Sequence, residues 1–379
     1  MNSHSSAITA DRDTVLTFDH VSRRFGDHLA VDEVQFDLQR GEILTLLGPS
    51  GCGKTTTLRV AIGLERAQAG RVSYNGRVVD SPAQRLFVPP NQRDMGMVFQ
   101  SYAIWPHLDV FENVAFPLRT RRTGNDEVER RVKQILVQVG LGGYEKRSGM
   151  QLSGGQQQRV AVARGLVAEP DLLLMDEPFS NLDAKLRTQL RVELRSLQRR
   201  LGVSILFVTH DQSEALALSD RLAVMRDGRI VQIGTPLDLY MNPAEPFVRD
   251  FLGESVLFAG RVGNAAPDAV AVTLDGGGVT MVRGRSHLGA AGAQDECIVA
   301  IRPEDIVVHA DPVAGDGSNH IAAKIRSLLF LGQEFEAVLD YGSAHVSTVR
   351  LRRDQGWREG QNISLELPAE KLQVWRKQS

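Results

Sequence analysis

The chain has 379 residues, of which 42% are hydrophobic and 24% are charged, a composition typical of globular proteins and a length that suits two domains. The formal net charge of −2 excludes bulk attraction to nucleic acid or to anionic lipid. No apolar run is long enough to cross a bilayer, so any membrane role is expected to depend on partner chains.

The N-terminal residues and the cysteines bear on the compartment. Residues 1–13 are polar and are predicted to form a disordered leader rather than a secretory signal, because no apolar stretch follows them. The chain has two cysteines, Cys52 and Cys297, which is fewer than a secreted protein of this size usually carries. We therefore expect free thiols and a reducing compartment.

A phosphate-binding loop is the first chemical motif. An apolar run at 42–47 predicts a buried strand, and the sequence GPSGCGKTT after it fits the pattern G-x-x-x-x-G-K-[ST] between a strand and a helix. Glycines let the main chain wrap phosphates, and N–H groups at the helix N-terminus attract the anion. Lys54 is expected to neutralise the β- and γ-phosphates, and the Thr55 hydroxyl to ligate Mg²⁺. The predicted ATP contacts of this loop are Gly48, Pro49, Ser50, Gly51, Cys52, Gly53, Lys54, Thr55 and Thr56.

The sequence LSGGQ at 152–156 predicts a second anion-binding surface. Ser153 and Gln156 fit a capping box at the start of a helix. Gly154 and Gly155 leave main-chain N–H groups bare at the positive end of that helix. An ordinary capped helix accounts for Ser153 and Gln156 but not for the paired glycines, so all four residues are candidate phosphate contacts.

Two adjacent carboxylates end the next apolar strand, which is predicted at 172–175. Asp176 is expected to hold Mg²⁺, directly or through water, and Glu177 to accept a proton from the attacking water. Exposed acids at a strand end are the alternative interpretation. Neighbouring like charges repel, however, and together with the phosphate loop the pair indicates a catalytic site.

Further apolar patterns place these motifs in an α/β domain. A third buried strand is predicted at 205–208, and continuous apolar strands of this kind suit a parallel sheet that is covered on both faces. Two helices are predicted from apolar residues that recur on one face. They carry Val128, Val132, Ile135, Leu136 and Val139 in the first, and Leu186, Leu190, Leu194, Leu197 and Leu201 in the second, with Gly202 as its C-terminal cap.

The three motifs together resemble those of ABC ATPases. The resemblance implies a P-loop NTPase (RecA-like) core with an inserted helical subdomain near 101–170, inside an ATPase domain at 14–250. It also implies a head-to-tail homodimer, in which the LSGGQ signature of one subunit closes over ATP held by the other. Hydrolysis of ATP then releases the clamp.

Four more positions match this family one at a time. Gln100 resembles the Q-loop glutamine, which contacts Mg²⁺ or the attacking water. Asp183 resembles the D-loop aspartate, which contacts the partner subunit, and it also fits a helix N-cap. His210 follows an apolar strand and resembles the H-loop histidine at the γ-phosphate. Phe25 resembles the aromatic residue that stacks on adenine, although many members have Tyr or Trp there and a core position is the alternative.

After about residue 250 the pattern changes to short β-like runs, among them 298–301, 334–339 and 363–367. These predict an all-β domain, a small OB-like barrel, at 251–379. The sequence IRPED at 301–305 resembles a motif of the OB-like (TOBE) domains appended to importer ATPases for sugars, polyamines and ferric iron. In such relatives this domain helps to dimerise the subunits and sometimes binds a regulator.

The aromatic segment 101–108 resembles the region where importer ATPases receive a short helix of the membrane subunit, with local packing as the alternative. The resemblance thus implies an ATPase at the cytoplasmic face of the inner membrane. Its implied partners are two transmembrane permease subunits and, indirectly, a periplasmic or extracellular solute-binding protein, and the favoured solutes are ferric iron and polyamines.

The rival interpretation is a soluble ABC ATPase that acts on the ribosome or on nucleic acid. Such proteins usually carry two cassettes or a long coiled-coil insertion, and the sequence has neither. An aromatic content of 6% also argues against a base-stacking surface in the C-terminal domain, so no nucleic-acid partner is expected.

Overall fold

The computed structural model describes residues 13–266, 269–275, 279–283, 286–288, 294–311, 319–341 and 347–377. The predicted leader, except for its last residue, lies outside the described residues. The chain folds into two compact units, of which the first ends at Met241 and the second begins at Asn242. The division falls a few residues before the boundary predicted near residue 250.

The first unit is built from strands and helices that alternate along much of its length. Its strands are β1 (Thr14–Phe25), β2 (His28–Gln39), β3 (Ile43–Leu47), β4 (Ala69–Tyr74), β5 (Arg77–Ser81), β6 (Leu86–Phe87), β7 (Gly96–Val98), β8 (Leu172–Asp176), β9 (Ser204–Thr209), β10 (Arg221–Arg226) and β11 (Arg229–Gly234). Its α-helices are α1 (Lys54–Ile62), α2 (Val110–Thr120), α3 (Asn125–Gln138), α4 (Gly154–Leu166), α5 (Ala184–Leu201), α6 (Gln212–Leu218) and α7 (Pro236–Met241).

A mainly parallel sheet forms the centre of this unit, in the order β11-β10-β3-β9-β8-β7. The pairs from β10 to β7 are parallel, and β11 is antiparallel to β10. Every residue of β3, β8 and β9 is buried, which confirms the three strands predicted from continuous apolar runs. Because the four strands β3, β7, β8 and β9 are parallel, their carboxyl ends meet at one edge, where ligands bind in such sheets.

Both faces of the parallel sheet are covered. Successive residues of β8 pack on opposite sides: Leu173 and Met175 join the core beneath α2–α5, whereas Leu172 and Leu174 join the core beneath the second sheet. That second sheet is antiparallel, in the order β2-β1-β4-β5-β6. The α/β core expected from the sequence is therefore confirmed.

The two predicted amphipathic helices are α3 and α5. In α3, the apolar residues Val128, Val132, Ile135 and Leu136 are buried. In α5, the middle leucines are buried, and Gly202 ends the helix with a φ of 66°, a left-handed conformation that glycine adopts without strain. These helices cover the sheet face that carries Leu173.

The second unit consists mainly of strands. A short helix, α8 (Pro246–Phe251), comes first, and the strands are β12 (Val256–Ala266), β13 (Ala269–Leu274), β14 (Val279–Val282), β15 (Ser286–His287), β16 (Glu296–Ile301), β17 (Val307–His309), β18 (His320–Phe330), β19 (Glu334–Asp340), β20 (Ser347–Arg352), β21 (Asn362–Glu366) and β22 (Gln373–Arg376). They form two sheets, β14-β13-β12-β16-β22-β15 and β17-β21-β18-β19-β20, which share one apolar core. The all-β C-terminal region is confirmed.

Helix α8 explains why the division comes before residue 250. Val248 and Leu252 are buried, and the guanidinium of Arg249 lies 5.2 Å from the ring centroid of Trp375, a residue of the last strand. The helix therefore packs with the second unit. Among the described residues, no helix is both long enough and apolar enough to cross a membrane.

Candidate nucleotide-binding site

The phosphate loop at 48–53 connects β3 to α1, and two of its glycines lie very close to the main chain of neighbouring strands. Gly53 precedes the helix with a φ of 104°, and a Cβ atom built there would lie 2.2 Å from the carbonyl oxygen of Ala30. A Cβ atom at Gly48 would lie 2.3 Å from the carbonyl oxygen of Met225. These glycines are thus required by the fold around the loop, in addition to the space that they leave for a phosphate.

Substitutions at two loop glycines should separate conformational strain from steric overlap. Gly51 has a φ of 82° but open space around it, so Gly51→Ala should lower the free energy of unfolding by about 1–2 kcal/mol, the cost of a left-handed non-glycine residue. Gly53→Ala adds the overlap with Ala30, and we expect a loss of about 4 kcal/mol. Urea unfolding without nucleotide measures both, and equal losses would contradict this placement of the loop.

Lys54 is buried inside this loop. Its Nζ atom donates hydrogen bonds to the carbonyl oxygens of Gly48, at 2.7 Å, and Pro49, at 2.9 Å. The ammonium group is therefore held across the loop by the main chain of the loop itself. An anion that enters the cradle meets a positive charge that is already desolvated and positioned.

Thr55 and Asp176 connect the loop to the central strand β8. Thr55 Oγ1 donates a hydrogen bond of 3.0 Å to Asp176 Oδ1. Burial raises the pKa of Asp176, and the hydrogen bond from Thr55 opposes that rise. A hydroxyl and a carboxylate oxygen this close form a pair of oxygen ligands that suits Mg²⁺.

Glu177 lies between two other predicted catalytic residues. Its Oε1 atom is 3.0 Å from Nδ1 of His210, and its Oε2 atom accepts a hydrogen bond of 3.2 Å from Nε2 of Gln100. Glu177 has a φ of 44°, in the left-handed region that non-glycine residues rarely adopt. The structure therefore brings together three residues that follow three different strands, β7, β8 and β9.

The LSGGQ residues lie at the start of α4 and bond to one another. Gln156 N donates to Ser153 Oγ at 3.4 Å, and Ser153 N donates to Gln156 Oε1 at 3.0 Å, which confirms the capping box. A Cβ atom at Gly155 would lie 3.1 Å from the Leu186 side chain, and one at Gly154 would lie 3.3 Å from Leu182. The paired glycines thus have a packing reason that the sequence analysis missed.

Among the hydrogen bonds of the described residues, none joins these four signature residues to the phosphate loop. Asp183 caps α5, because its Oδ1 atom accepts a hydrogen bond of 3.0 Å from Leu186 N, as the N-cap interpretation predicts. Among the described residues, the hydrogen bonds of Ser153, Gly154, Gly155, Gln156 and Asp183 therefore do not reach the loop of the same chain.

Phe25 ends β1 on the surface. Its side chain is 42% exposed, and the guanidinium carbon of Arg23 lies 4.5 Å from its ring centroid. The alternative of a core position is therefore wrong. An exposed ring at this place remains available for stacking on a planar base.

Cys52 is a residue of the loop whose side chain points into the protein. It is buried, its Sγ atom is 3.7 Å from Lys54 Nζ, and burial raises the pKa of its thiol. Because the thiolate is the nucleophile, a raised pKa lowers the reactive fraction at neutral pH.

We therefore expect a maleimide to modify Cys52 of the folded protein more slowly than a free thiol, at a rate that increases with pH. Once formed, the adduct occupies the cradle, so ATP binding should be lost. The Cys297→Ser variant isolates Cys52 for this measurement, which pairs mass spectrometry with ATP titration. Unchanged ATP affinity in the fully modified protein would contradict the assignment of the loop.

Two residues hold segments next to the site through hydrogen bonds that the sequence did not predict. Asn181 Nδ2 donates a hydrogen bond of 3.2 Å to the carbonyl oxygen of Gln100, a contact that the sequence did not indicate. Arg93 is fully buried and donates to the carbonyl oxygens of Val60 and Ala61 at the end of α1. No local motif marks Arg93 as buried, because most of its acceptors lie far away in sequence. Only the carbonyl oxygen of Val88 is close to it along the chain.

Comparisons with known proteins identify the family. A family model described as ABC transporter matches residues 31–180, and one described as TOBE domain matches residues 299–375. The spermidine/putrescine import ATP-binding protein PotA of Methylococcus capsulatus is 42% identical over 366 residues, which are 96% of this chain and 90% of that protein. The chain belongs to the ABC transporter ATP-binding proteins. The resemblance drawn from its motifs is confirmed.

Two further relatives of this ABC ATPase support the same assignment. The Fe(3+) ions import ATP-binding protein FbpC of Brucella suis biovar 1 is 43% identical over 343 residues, covering 89% of this chain and 92% of that protein. Among solved structures, cbiO1 of the ABC transporter complex cbiONQ from Clostridium perfringens has a TM-score of 0.55 at 28% identity, covering 61% of this chain and 92% of that chain. The matched ATP-binding region, 31–180, contains the loop, Gln100, LSGGQ and both carboxylates, whereas Asp183 and His210 lie beyond it.

Proposed function

We propose that this ABC ATPase is the motor subunit of a binding-protein-dependent importer, in which a head-to-tail homodimer couples ATP hydrolysis to solute uptake through separate permease subunits. The observation that carries the proposal is the placement of Glu177 between Gln100 and His210, at the sheet edge that also holds the phosphate loop. A carboxylate held by two neighbours is positioned to act as a base on water.

Each residue of this edge has a role in the proposed reaction, the hydrolysis of ATP to ADP and phosphate. Lys54 neutralises charge on the β- and γ-phosphates, and Glu177 accepts a proton from the attacking water. Gln100 orients that water, and His210 contacts the γ-phosphate. Because these groups are in place before ATP arrives, little reorganisation is needed during the reaction.

Mg²⁺ fits the oxygen atoms that the structure places together. Thr55 and Asp176 would hold it, with Gln100 as a further candidate ligand, and the hydrogen bond between Thr55 and Asp176 brings two of these oxygens to 3.0 Å. When bound, the ion neutralises phosphate charge. Phe25 would stack on the adenine ring, since its own ring is exposed.

The proposed dimer follows from the two separate phosphate-binding surfaces. The loop and the start of α4 each carry glycines and N–H groups, but among the described residues no hydrogen bond joins them within one chain. A head-to-tail pair brings the Ser153 surface of one copy to the loop of the other, and Asp183 then lies near the same junction. Two ATP molecules are bound between the copies.

The proposed permease-docking surface consists of Trp105 and Phe116, and we call it the docking surface. Their ring centroids are 4.4 Å apart, and Phe116 is 46% exposed. Tyr102 is buried and Ile104 packs against the core, so local packing accounts for part of segment 101–108 but not for this aromatic pair. A half-buried Trp105 beside an exposed Phe116 suits a short amphipathic helix of a partner.

The proposed solute is a polyamine or ferric iron, because the relatives are named for the import of spermidine and putrescine or of Fe(3+) ions. Their identities of 42% and 43% do not separate the two. Such a role implies a peripheral position at the cytoplasmic face of the membrane, two permease subunits, and a solute-binding protein on the other side.

Uptake in a strain that lacks the chain tests the function. Complementation with the wild-type chain should restore uptake of labelled spermidine or of labelled ferric iron, and complementation with Glu177→Gln should not. Purification from mild detergent should recover membrane proteins with the wild-type chain, and fewer of them with the Trp105→Ala/Phe116→Ala variant. Recovery of ribosomes in place of membrane proteins, with uptake unchanged, would favour the rival soluble ATPase.

A further inference from the structure

Arg164 lies near the end of α4, the helix that begins at the LSGGQ sequence, and its side chain is buried. Its guanidinium donates two hydrogen bonds of 2.6 Å, from Nη1 to the carbonyl oxygen of Ala103 and from Nη2 to that of Tyr102. Its Cζ atom also lies 4.6 Å from the ring centroid of Trp105. Burial lowers the pKa of Arg164 to about 10, so the group remains charged at neutral pH.

The two acceptors lie on a strained part of the chain. Tyr102 and Ala103 have φ angles of 60° and 48°, both in the left-handed region. A non-glycine residue in this region carries a conformational cost. Hydrogen bonds from a buried charged group are strong enough to offset that cost. The shape of the segment before the docking surface therefore depends on Arg164.

The two ends of this segment belong to different parts of the first unit. Gln100 is hydrogen-bonded to residues at the carboxyl end of the parallel sheet: its side chain donates to Glu177, and its carbonyl oxygen accepts from Asn181. Trp105 is bonded to the helices: its N–H group donates to Asn113 Oδ1 on α2 at 2.9 Å, and its ring contacts Phe116. Between these two attachments, Arg164 joins the segment to α4.

We infer that Arg164 is a positioning residue that transmits the position of the LSGGQ helix to the docking surface. Helix α4 is continuous from its cap at Ser153 to Arg164, a rigid length of about 16 Å. A displacement at Ser153 when nucleotide is bound thus reaches the carbonyl oxygens of Tyr102 and Ala103 and the ring of Trp105. The inference rests on the proposed function, in which Ser153 meets nucleotide and Trp105 meets the permease.

Fluorine NMR on the full chain labelled with 5-fluorotryptophan tests the link without a permease. The chain has three tryptophans, and the Trp105→Phe variant assigns the resonance of interest. Adding Mg²⁺ and a non-hydrolysable ATP analogue should shift the Trp105 resonance of the wild-type protein. In Arg164→Met the shift should be lost while the affinity for the analogue is retained.

A matched control lies on the same helix. The guanidinium of Arg159 pairs with Glu193 at 2.6 Å instead of bonding the segment before Trp105, so Arg159→Met should keep the shift. If Arg164→Met does not fold, Arg164→Lys takes its place. Lysine keeps a cation but replaces the two-pronged donor by a single ammonium, so a reduced shift is expected.

The outcomes separate this inference from the proposed function. A Trp105 shift of wild-type size in the folded Arg164 variants overturns the inference, because a purely structural arginine would change stability and leave the response intact. A wild-type resonance that does not move although the analogue binds also overturns it, while ATP binding stands. If the analogue does not bind the wild-type chain, the proposed function fails and the inference fails with it.

Discussion

Glu177→Gln should lower the rate of ATP hydrolysis by about 10²–10⁴-fold, which is the usual contribution of a positioned general base. Glutamine is isosteric with glutamate, so it can still contact Gln100 and His210, but its neutral amide does not accept a proton from water. Phosphate release measures the rate at saturating ATP and Mg²⁺. The matched control is Glu129→Gln. Glu129 is an exposed residue of α3 that forms an ion pair with Lys133, so this variant should keep the wild-type rate.

The same variant should accumulate as an ATP-bound dimer. The substitution removes the general base, so bound ATP is hydrolysed more slowly and the ATP-bound state persists. It also removes a negative charge near the γ-phosphate, which lowers the electrostatic repulsion between residue 177 and ATP. Size-exclusion chromatography with ATP and Mg²⁺ should therefore give a dimer for Glu177→Gln, and a smaller dimer fraction for the wild-type enzyme. Monomers that persist at saturating ATP would contradict the head-to-tail arrangement.

The parts of the fold that could be predicted are those with a local cause. The strands β3, β8 and β9 are buried on both faces, so each appears in the sequence as an unbroken apolar run. The shared position of the candidate catalytic residues follows from these strands, because Asp176 is the last residue of β8, and Glu177 and His210 come directly after the parallel strands β8 and β9. The phosphate loop was recognisable because its pattern also requires a strand before it and a helix after it.

The features that escaped prediction depend on contacts between distant segments. The guanidinium of Arg93 donates to the carbonyl oxygens of Val60 and Val79, which lie far from it in sequence, as well as to that of nearby Val88. In the sequence, Arg164 is part of an ordinary helical pattern. Only the structure shows that the carbonyl oxygens of Tyr102 and Ala103 accept hydrogen bonds from it. Buried cations of this kind are set by tertiary structure, so composition and periodicity do not reveal them.

Gly155 shows how a correct motif can have an incomplete explanation. From the sequence, its lack of a side chain indicated a surface for phosphate at the start of α4. In the structure, the same feature lets α4 approach Leu186 on α5. Packing therefore requires the same residue that the proposed phosphate contact would require, and the pattern alone does not separate the two. The Ser153 surface consequently remains a proposal that the dimer experiment tests.

Lys54→Ala should weaken ATP binding by roughly ten- to a hundredfold, because hydrogen bonds from a charged donor contribute about 1.5–3 kcal/mol. The buried ammonium of Lys54 is held at the loop by the carbonyl oxygens of Gly48 and Pro49. Its removal takes away the positive charge that a phosphate would meet. Titration with a fluorescent ATP analogue measures the affinity.

Lys133→Ala is the matched control, because this exposed lysine pairs with Glu129 on α3 and lies outside the loop; its affinity should match that of the wild-type chain. Thermal unfolding without nucleotide shows whether Lys54→Ala still folds. Lys54→Ala and Glu177→Gln should then differ in kind, since the first binds ATP more weakly and the second binds ATP but hydrolyses it slowly. An unchanged affinity in a folded Lys54→Ala protein would mean that the phosphates bind elsewhere, because no other group in the loop replaces a buried ammonium.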